Sequence, residues 1–348
     1  MEKHLDVIQT QVAIKKLKDF FENSLAKKLN LVRVSAPLFV APETGLNDNL
    51  NGIEKPVSFT IKTCNQNVEI VQSLAKWKRM ALGWYGFQVG TGLYTDMNAI
   101  RPYESLDNIH SVYVDQWDWE KVISREERNE KYLIKIVSDI YEVFKESETY
   151  INSLYPELKK KLPEKICFIT TQELEDLYPD KTPKEREDLI AKDKGAVFLM
   201  KIGKILNSGK RHDGRAPDYD DWNLNGDILF WNPILNHVLE LSSMGIRVDS
   251  NSLNEQLRIS HCEERKSLEY HRLLLDNKLP LTVGGGIGQS RICMFFLEKK
   301  HIGEVQASVW TKDIIDECRE NNIFLNSGQF ILDYQRRNTV WEEENYNA

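Results

Sequence analysis

A glycine-rich segment that ends in an arginine points most directly to a ligand. Residues 282–291 read Thr-Val-Gly-Gly-Gly-Ile-Gly-Gln-Ser-Arg, and an apolar helix pattern follows at once. Glycine lets the backbone approach a ligand, a helix N-terminus favours an anion, and arginine holds phosphate with a planar fork of donors. The segment matches neither the dinucleotide-binding fingerprint nor a P-loop. We therefore expect a phosphate-binding turn, and a turn that only packs helix against strand remains the alternative.

Further charged and amide side chains occur in short groups at predicted strand ends and loops. Strand alternation puts Val114, Gln116 and Asp118 on one face, with Trp117 and Trp119 on the other. Buried polar side chains need partners, because burying them alone is costly. The two tryptophans indicate that the opposite face is also buried, which argues against the alternative of a solvated sheet surface. The other groups are Asp48; Gln72 and Ser73 with Lys78; Arg101 with Glu104; Asp227; and Glu240 with Arg247.

Composition limits the class of protein. The 348 residues include 46 Lys+Arg and 53 Asp+Glu, which gives a net charge of −7. Such a chain is poorly suited to non-specific nucleic-acid binding, although a local basic pocket is possible. The five cysteines form no CxxC pair, and the first residues contain no apolar signal segment. No run approaches the ~18 apolar residues of a membrane span. We expect a reduced, cytoplasmic protein that binds neither membranes nor nucleic acid.

The predicted elements are strand pairs separated by groups of helices. Helices are predicted over residues 3–30, about 73–82, 124–160, 253–277 and from 292. Strands are predicted over 31–37, 57–62, 68–71, 99–101, 112–119, 167–171, 197–200, 227–231, 239–242 and 246–248, with polar loops at 43–52, 102–111 and 205–226. Strand pairs with short connections favour antiparallel pairing. We predict an α+β fold, a mainly antiparallel β-sheet flanked by helices.

The motifs, taken in order, resemble the catalytic core of class II aminoacyl-tRNA synthetases, in the aspartyl and asparaginyl branch. A helix and a strand ending at Pro37 resemble the first, dimer-forming motif. Gln72-Ser73-x-x-x-x-Lys78 resembles the aspartate-binding loop of that branch, and residues 101–118 resemble the strand–loop–strand of the second motif. Residues 240–247 resemble its Glu-x-x-Gly-Gly-Ser-x-Arg strand, and Gly-x-Gly-x-x-Arg at 286–291 resembles the third motif.

A closer resemblance is to the bacterial ammonia-dependent asparagine synthetases, or aspartate–ammonia ligases. It rests on residues 73–79, 110–119, 215–222 and 240–249, and it covers about residues 5–311. The resemblance implies a class II synthetase-like catalytic domain over residues 1–320, followed by a C-terminal tail, 321–348, of unknown role. It also implies a homodimer that forms through the first motif.

The resemblance implies that aspartate, ATP and ammonia give asparagine, AMP and pyrophosphate through a β-aspartyl adenylate. Arg101 would bridge the reacting carboxylate and the α-phosphate, and Asp48 would bind ammonium and take its proton. Asp227 and Glu240 would hold Mg²⁺ as a cofactor of ATP. The residues implied to bind aspartate are Ser73, Lys78, Gln116, Asp118, Ser243 and Arg247. Those implied to bind ATP are Arg101, Glu104, His110, Arg215, Gly286, Gly288 and Arg291, the last at the terminal phosphate.

Two other function classes stay open: the core of an aspartyl- or asparaginyl-tRNA synthetase, and a non-catalytic relative. The acidic chain has no room for an anticodon-binding barrel, and all the phosphate- and metal-binding side chains are present. Some residues also have simpler interpretations: Lys78 as a surface charge, Asp48 as a turn former, Arg215 and Asp220 as residues that brace a loop, and His110 as a structural histidine. Val114 stands where the synthetases have an adenine-stacking aromatic. The resemblance therefore leaves adenine recognition unassigned.

Overall fold

The computed structural model describes residues 5–48 and 55–328, which form a large sheet, a small sheet and covering helices. The strands are β1 (Leu31–Arg33), β2 (Phe39–Val40), β3 (Ser58–Ile61), β4 (Gln66–Ile70), β5 (Gly92–Ile100), β6 (Tyr113–Val122), β7 (Cys167–Thr170), β8 (Ala196–Met200), β9 (Asp220–Asn232), β10 (His237–Arg247) and β11 (Thr282–Gly288). The helices are α1 (Val7–Leu29), α2 (Ala75–Trp84), α3 (Glu130–Leu154), α4 (Thr171–Leu177), α5 (Pro183–Lys194), α6 (Ser250–Ile259), α7 (Glu269–Leu275), α8 (Gln289–Phe296) and α9 (Lys312–Glu320). Short 3₁₀ helices cover Pro42–Thr44, Glu263–Ser267 and Ile302–Glu304.

The eight-stranded sheet has the order β1-β5-β6-β11-β10-β9-β8-β7. Its six central strands pair antiparallel, and only the edge pairs β1–β5 and β7–β8 are parallel. A separate antiparallel sheet has the order β2-β4-β3. The α+β fold with a mainly antiparallel sheet is therefore confirmed.

The main core lies between one face of the large sheet and helices α1, α3 and α8. Helix α1 begins with a capping box between Asp6 and Gln9. Its buried apolar side chains recur every fourth residue and form one stripe: Ala13, Leu17, Phe21, Leu25 and Leu29. Phe21 stacks on Trp117 of β6 with ring centroids 4.9 Å apart. The prediction that the tryptophan face of this strand is buried is confirmed, because Trp117 and Trp119 have 1% and 0% exposure.

Several predicted elements have different bounds in the structure. The polar loop predicted over 205–226 ends early, because β9 already begins at Asp220. Two of the polar side chains that suggested a loop are buried there in ion pairs: Asp220 pairs with Arg247, and Asp221 pairs with Arg128. The two strands predicted over 239–248 are one strand, β10, with register shifts at Glu240/Ser242 and Gly245/Arg247. Its bulges interrupt the alternation from which strands are recognised.

The helix predicted over 253–277 is divided into α6, a 3₁₀ helix and α7. His261 has a left-handed backbone conformation, φ 53°, which no α-helix continues through. Part of the predicted loop, residues 49–52, lies outside the described residues, as do residues 329–348 of the predicted tail. At the start of that tail, Leu325 is fully buried in the main core.

Candidate active site

A cleft of about 610 Å³ lies on the face of the large sheet opposite α1. The predicted site residues that line it are Asp48, Ser73, Lys78, Arg101, Glu104, His110, Gln116, Asp118, Arg215, Glu240, Ser243, Arg247, Gly286, Gly288 and Arg291. Asp227 does not line the cleft but bonds to Arg215, which does. The structure therefore brings together residues from segments that are far apart in the chain.

The glycine segment is a central strand and not a turn. Strand β11 pairs with β6 so that Gly284 lies opposite Glu120, and Gly286 lies opposite Asp118. A Cβ on Gly284 would overlap the Glu120 carboxylate, and a Cβ on Gly286 would overlap Gln116 and Asp118. The expectation of a turn is therefore wrong. Its glycines leave room for the polar side chains of β6 to stand over the sheet.

The N-terminus of α8 already holds an anion from the protein itself. The Asp115 carboxylate accepts hydrogen bonds from the backbone N–H of Ser290 (3.1 Å) and from its hydroxyl (2.8 Å). Lys18 donates to the same carboxylate at 3.1 Å. The expectation that this helix end binds a ligand anion is therefore wrong, because Asp115 occupies the position. Arg291 remains available at the cleft and donates to the Glu240 carbonyl oxygen at 2.9 Å.

Lys78 is a buried site residue. Its side chain is 1% exposed, and its amine donates to the Gly285 carbonyl oxygen at 2.8 Å. The amine also lies 3.4 Å from Asp118 and 4.0 Å from Glu120. Burial lowers the pKa of the amine, and the charge of Asp118 offsets part of that effect. The surface-charge interpretation of Lys78 is therefore wrong.

Arg247 is held by two buried carboxylates: Glu120, which the sequence motifs did not indicate, and Asp220, for which the sequence suggested only a role in bracing a loop. Its guanidinium donates to both oxygens of Glu120, with Nε–Oε1 3.0 Å and Nη2–Oε2 2.8 Å, and its Nη1 donates to Asp220. Thr282 adds a hydrogen bond to Glu120 at 2.7 Å. Burial alone would raise the pKa of Glu120, but the charge and hydrogen bonds of Arg247, together with Lys78 and Thr282, hold that pKa below its usual value. Glu120 continues the face of Gln116 and Asp118, which was a signal for it in the sequence.

A second arginine, Arg215, connects the cleft to the predicted metal ligands. Its guanidinium donates to Ser243 Oγ at 2.9 Å and to Asp227 Oδ1 at 2.5 Å. Burial raises the pKa of Asp227 to about 7; Arg215 opposes that shift, and the nearby Glu240 charge adds to it. Asp227 is thus a buried carboxyl group bonded to Arg215, and Glu240 is half-buried on the neighbouring strand. The described residues contain no cluster of three or more His, Cys, Asp or Glu side chains suited to a metal ion.

Arg101 and His110 differ in how far their side chains are engaged in hydrogen bonds within the described residues. Arg101 donates one long hydrogen bond, 3.4 Å, to the Gln72 carbonyl oxygen, and its Nε has no hydrogen-bond partner among the described residues. The His110 ring contacts the Asp107 carboxylate at 2.8 Å, and Asp107 also accepts the backbone N–H of His110. The guanidinium of Arg101 is therefore open to an anion in the cleft, whereas His110 is tied into its own loop.

Asp48 is buried, with 2% exposure, where the chain enters the cleft wall. Its carbonyl oxygen accepts a hydrogen bond from the Gln72 side chain at 3.0 Å, and its N–H donates to Asn47 Oδ1 at 3.0 Å. Asn47 Oδ1 also accepts from the Gln72 backbone at 2.9 Å. Asn47 and Gln72 thus fix the backbone of Asp48 beside the cleft.

The chain is similar in sequence to known aspartate–ammonia ligases. A family model described as aspartate–ammonia ligase, AsnA, matches residues 8–322. An aspartate–ammonia ligase of Clostridium tetani is 65% identical over 92% of this chain and 94% of its own length. One of Fusobacterium nucleatum is 64% identical over 92% of this chain and 98% of its own length.

Solved structures with the same fold are class II synthetases. The asparaginyl-tRNA synthetase of Pyrococcus horikoshii, complexed with asparaginyl-adenylate, superimposes with a TM-score of 0.63 at 14% identity, over 85% of this chain and 68% of that chain. The asparaginyl-tRNA synthetase of Entamoeba histolytica gives a TM-score of 0.61 at 14% identity, over 86% and 67%. The fold is thus that of a class II aminoacyl-tRNA synthetase catalytic domain, and the chain belongs to the aspartate–ammonia ligase family.

Proposed function

We propose that this protein makes asparagine from aspartate and ammonia, with ATP converted to AMP and pyrophosphate through a β-aspartyl adenylate. The observation that carries the proposal is one cleft with two chemically different parts. Lys78, Asp118 and Arg247 form an end suited to a zwitterionic amino acid. Arg215 and Arg291 form a part suited to phosphates, as expected for ATP.

The amino-acid end combines charges of both signs at short range. The buried Lys78 amine supplies a positive charge for the non-reacting carboxylate of aspartate, and Asp118 supplies a negative charge for its ammonium group. Arg247 completes the pocket, with its orientation fixed by Glu120 and Asp220. The pocket is further lined by Ser73, Gln116 and Ser243. A pocket of this kind orients aspartate so that its β-carboxylate faces the phosphates.

The first chemical step joins two anions, the β-carboxylate and the α-phosphate. Positioning and neutralisation of charge therefore carry most of the catalysis. Arg101 lines the cleft and makes only one long hydrogen bond among the described residues, so it bridges the carboxylate and the α-phosphate. Arg291 holds the terminal phosphate. The other ATP contacts come from Glu104, His110, Arg215, Gly286 and Gly288.

Asp227 and Glu240 fit a magnesium ion. Glu240 lines the cleft, and Asp227 reaches its wall through Arg215, whose guanidinium donates to Asp227 Oδ1. Carboxylate oxygens are ligands that Mg²⁺ prefers, with the remaining positions filled by phosphate oxygens and water. When bound, the ion would neutralise charge on the phosphates. Arg215, which bonds to Asp227, would then turn toward ATP.

The second step requires ammonia rather than ammonium at the adenylate. Asp48, in the cleft wall next to Gln72 and Arg101, binds ammonium and accepts its proton. The nucleophilic nitrogen then attacks the β-carbonyl carbon, and AMP leaves. The same cleft therefore serves both steps without movement of the intermediate.

Product analysis with single omissions tests this function. The complete mixture of ATP, Mg²⁺, aspartate and ammonia should give AMP and asparagine in equal amounts. Omission of aspartate should abolish AMP release, and addition of tRNA should change nothing. AMP formation that depends on tRNA would support a tRNA synthetase core instead, and no AMP under any condition would support a non-catalytic relative.

We expect the protein to be a homodimer that forms through α1 and β1. Helix α1 exposes Ile8 (72%) and Val12 (46%), and the edge strand β1 exposes Val32 (59%). Such apolar side chains near an unpaired strand edge are suited to a partner surface. Light scattering should give the mass of a dimer at micromolar concentration, and Val32→Asp should shift it toward the monomer.

The control for that variant is Val309→Asp, which alters an equally exposed valine (59%) far from β1 in the sequence. It should remain a dimer. A wild-type protein that is monomeric at micromolar concentration and fully active would contradict the prediction.

No helix within the described residues has the length and apolar character needed to cross a membrane. All five cysteines are free thiols. Free thiols are the usual state in a reducing compartment, and we propose that the protein works in the cytoplasm.

A further inference from the structure

The end of the cleft next to Gln306, here called the neutral end, has a mostly uncharged lining. Ile109, Val114 and Ile302 contribute apolar side chains there, Ser111 contributes a hydroxyl, and Asp115 contributes a carboxylate that bonds to Gln306. The parts of the cleft proposed for aspartate and the phosphates contain Lys78, Arg215, Arg247 and Arg291. An uncharged planar group belongs at the neutral end, since such a group gains from apolar contact and needs only a few directed hydrogen bonds.

Gln306 is the unusual side chain at this end. It is 5% exposed, and its Nε2 donates to Asp115 Oδ1 at 3.3 Å. That contact decides the orientation of the amide, because an amide oxygen turned toward a carboxylate would be repelled. Oε1 therefore points away from Asp115, and it has no hydrogen-bond partner among the described residues. A buried acceptor without a partner costs free energy, so a ligand donor would be favoured there.

The segment that carries Gln306 is fixed to the loop between β5 and β6. The N–H of Ile302 donates to the Asn108 carbonyl oxygen at 2.8 Å, and the hydroxyls of Ser111 and Ser308 lie 2.8 Å apart. The first turn of α8 meets the same place, because Ser290 shares the Asp115 carboxylate with Gln306. The backbone on both sides of Gln306 is therefore fixed to the β5–β6 loop, and its amide is oriented by Asp115, which also bonds to α8.

We propose that Gln306 determines the base specificity of the nucleotide site by accepting a hydrogen bond from the 6-amino group of adenine. The amide oxygen is an acceptor, and the 6-amino group is a donor. Guanine carries a carbonyl oxygen at that position, so two acceptors would face each other. The inference rests on the proposed use of ATP, and it assigns the step of nucleotide selection to one side chain.

The test compares ATP with purine riboside triphosphate, which lacks only the 6-amino group. Wild-type protein should use ATP with a kcat/KM roughly tenfold higher, as expected for one hydrogen bond to a buried acceptor. Gln306→Met keeps the length of the side chain but removes the acceptor, so its ratio of the two kcat/KM values should fall toward one. The KM for aspartate should not change.

A matched control separates recognition from structure. Ser308→Ala removes the hydroxyl contact to Ser111 in the same segment but no atom of the cleft lining. It should affect both nucleotides equally and keep the wild-type ratio. Equal use of both nucleotides by the wild type, or undiminished discrimination by Gln306→Met, would overturn the inference. An absence of any ATP consumption by the wild type would instead overturn the proposed function.

Discussion

Replacement of Arg101 by alanine is expected to lower the turnover number by roughly 10²–10³-fold, the usual loss when one preorganised donor to developing charge is removed. Among the described residues Arg101 makes one long hydrogen bond, to Gln72, so most of its donors can meet the carboxylate and the α-phosphate. The fold should survive, because this arginine is only partly buried and packs in no core cluster. Steady-state kinetics and thermal unfolding would measure the two effects.

Two further variants define what Arg101 contributes. Arg101→Lys keeps the charge but loses the planar fork, so its turnover should lie between those of the wild type and the alanine variant. Arg272→Ala removes an exposed arginine from α7 and should leave turnover unchanged. An Arg101→Ala protein with activity within a few-fold of the wild type would show that the bridging role is assigned to the wrong residue.

Asp48→Asn is expected to separate the two chemical steps. The substitution keeps the shape of the side chain but removes its charge and basicity. Asparagine formation should fall by about 10²-fold or more, in the range of a general base, and the apparent KM for ammonia should rise. Adenylate formation should persist, because the aspartate carboxylate is already ionised at neutral pH and needs no base. Parallel assays of asparagine synthesis and of pyrophosphate exchange would measure the separation.

The control for this variant is Glu43→Gln in the same part of the chain. Glu43 is exposed and does not line the cleft, so the same loss of charge should leave both assays unchanged. Equal loss of exchange and synthesis in Asp48→Asn would show that Asp48 acts in binding aspartate or ATP and not as the base. No loss in either assay would support the simpler interpretation of Asp48 as a turn former.

The fold and most of the cleft lining could be predicted from the sequence, because strand alternation and the order of the motifs can both be read along the chain. Strand alternation around Trp117 and Trp119 identified a strand with two buried faces. The ordered motifs then identified residues from Asp48 to Arg291, which the structure brings into one cleft. Motif order is informative because a long insertion or a rearranged connection would break the shared spacing.

The remaining features depend on contacts between distant residues. The pairing of strands brings Asp115 to the start of α8 and brings Asp220 to Arg247. Neither contact is visible in the local sequence. The glycines of β11 led to the wrong prediction of a ligand-binding turn. The space they leave is filled instead by side chains of β6. Gly284, for example, makes room for Glu120, 164 residues earlier in the chain (284 − 120). Such pairings cannot be inferred from one sequence without the strand order.

We propose that aspartate is adenylated in this cleft without ammonia and without tRNA. The decisive experiment is exchange of labelled pyrophosphate into ATP, with ribonuclease-treated protein, Mg²⁺ and aspartate as the only other components. We expect label in ATP when aspartate is present and none when aspartate is omitted. Exchange that appears only after tRNA is added, or an absence of exchange in a protein that makes asparagine from the full mixture, would contradict it.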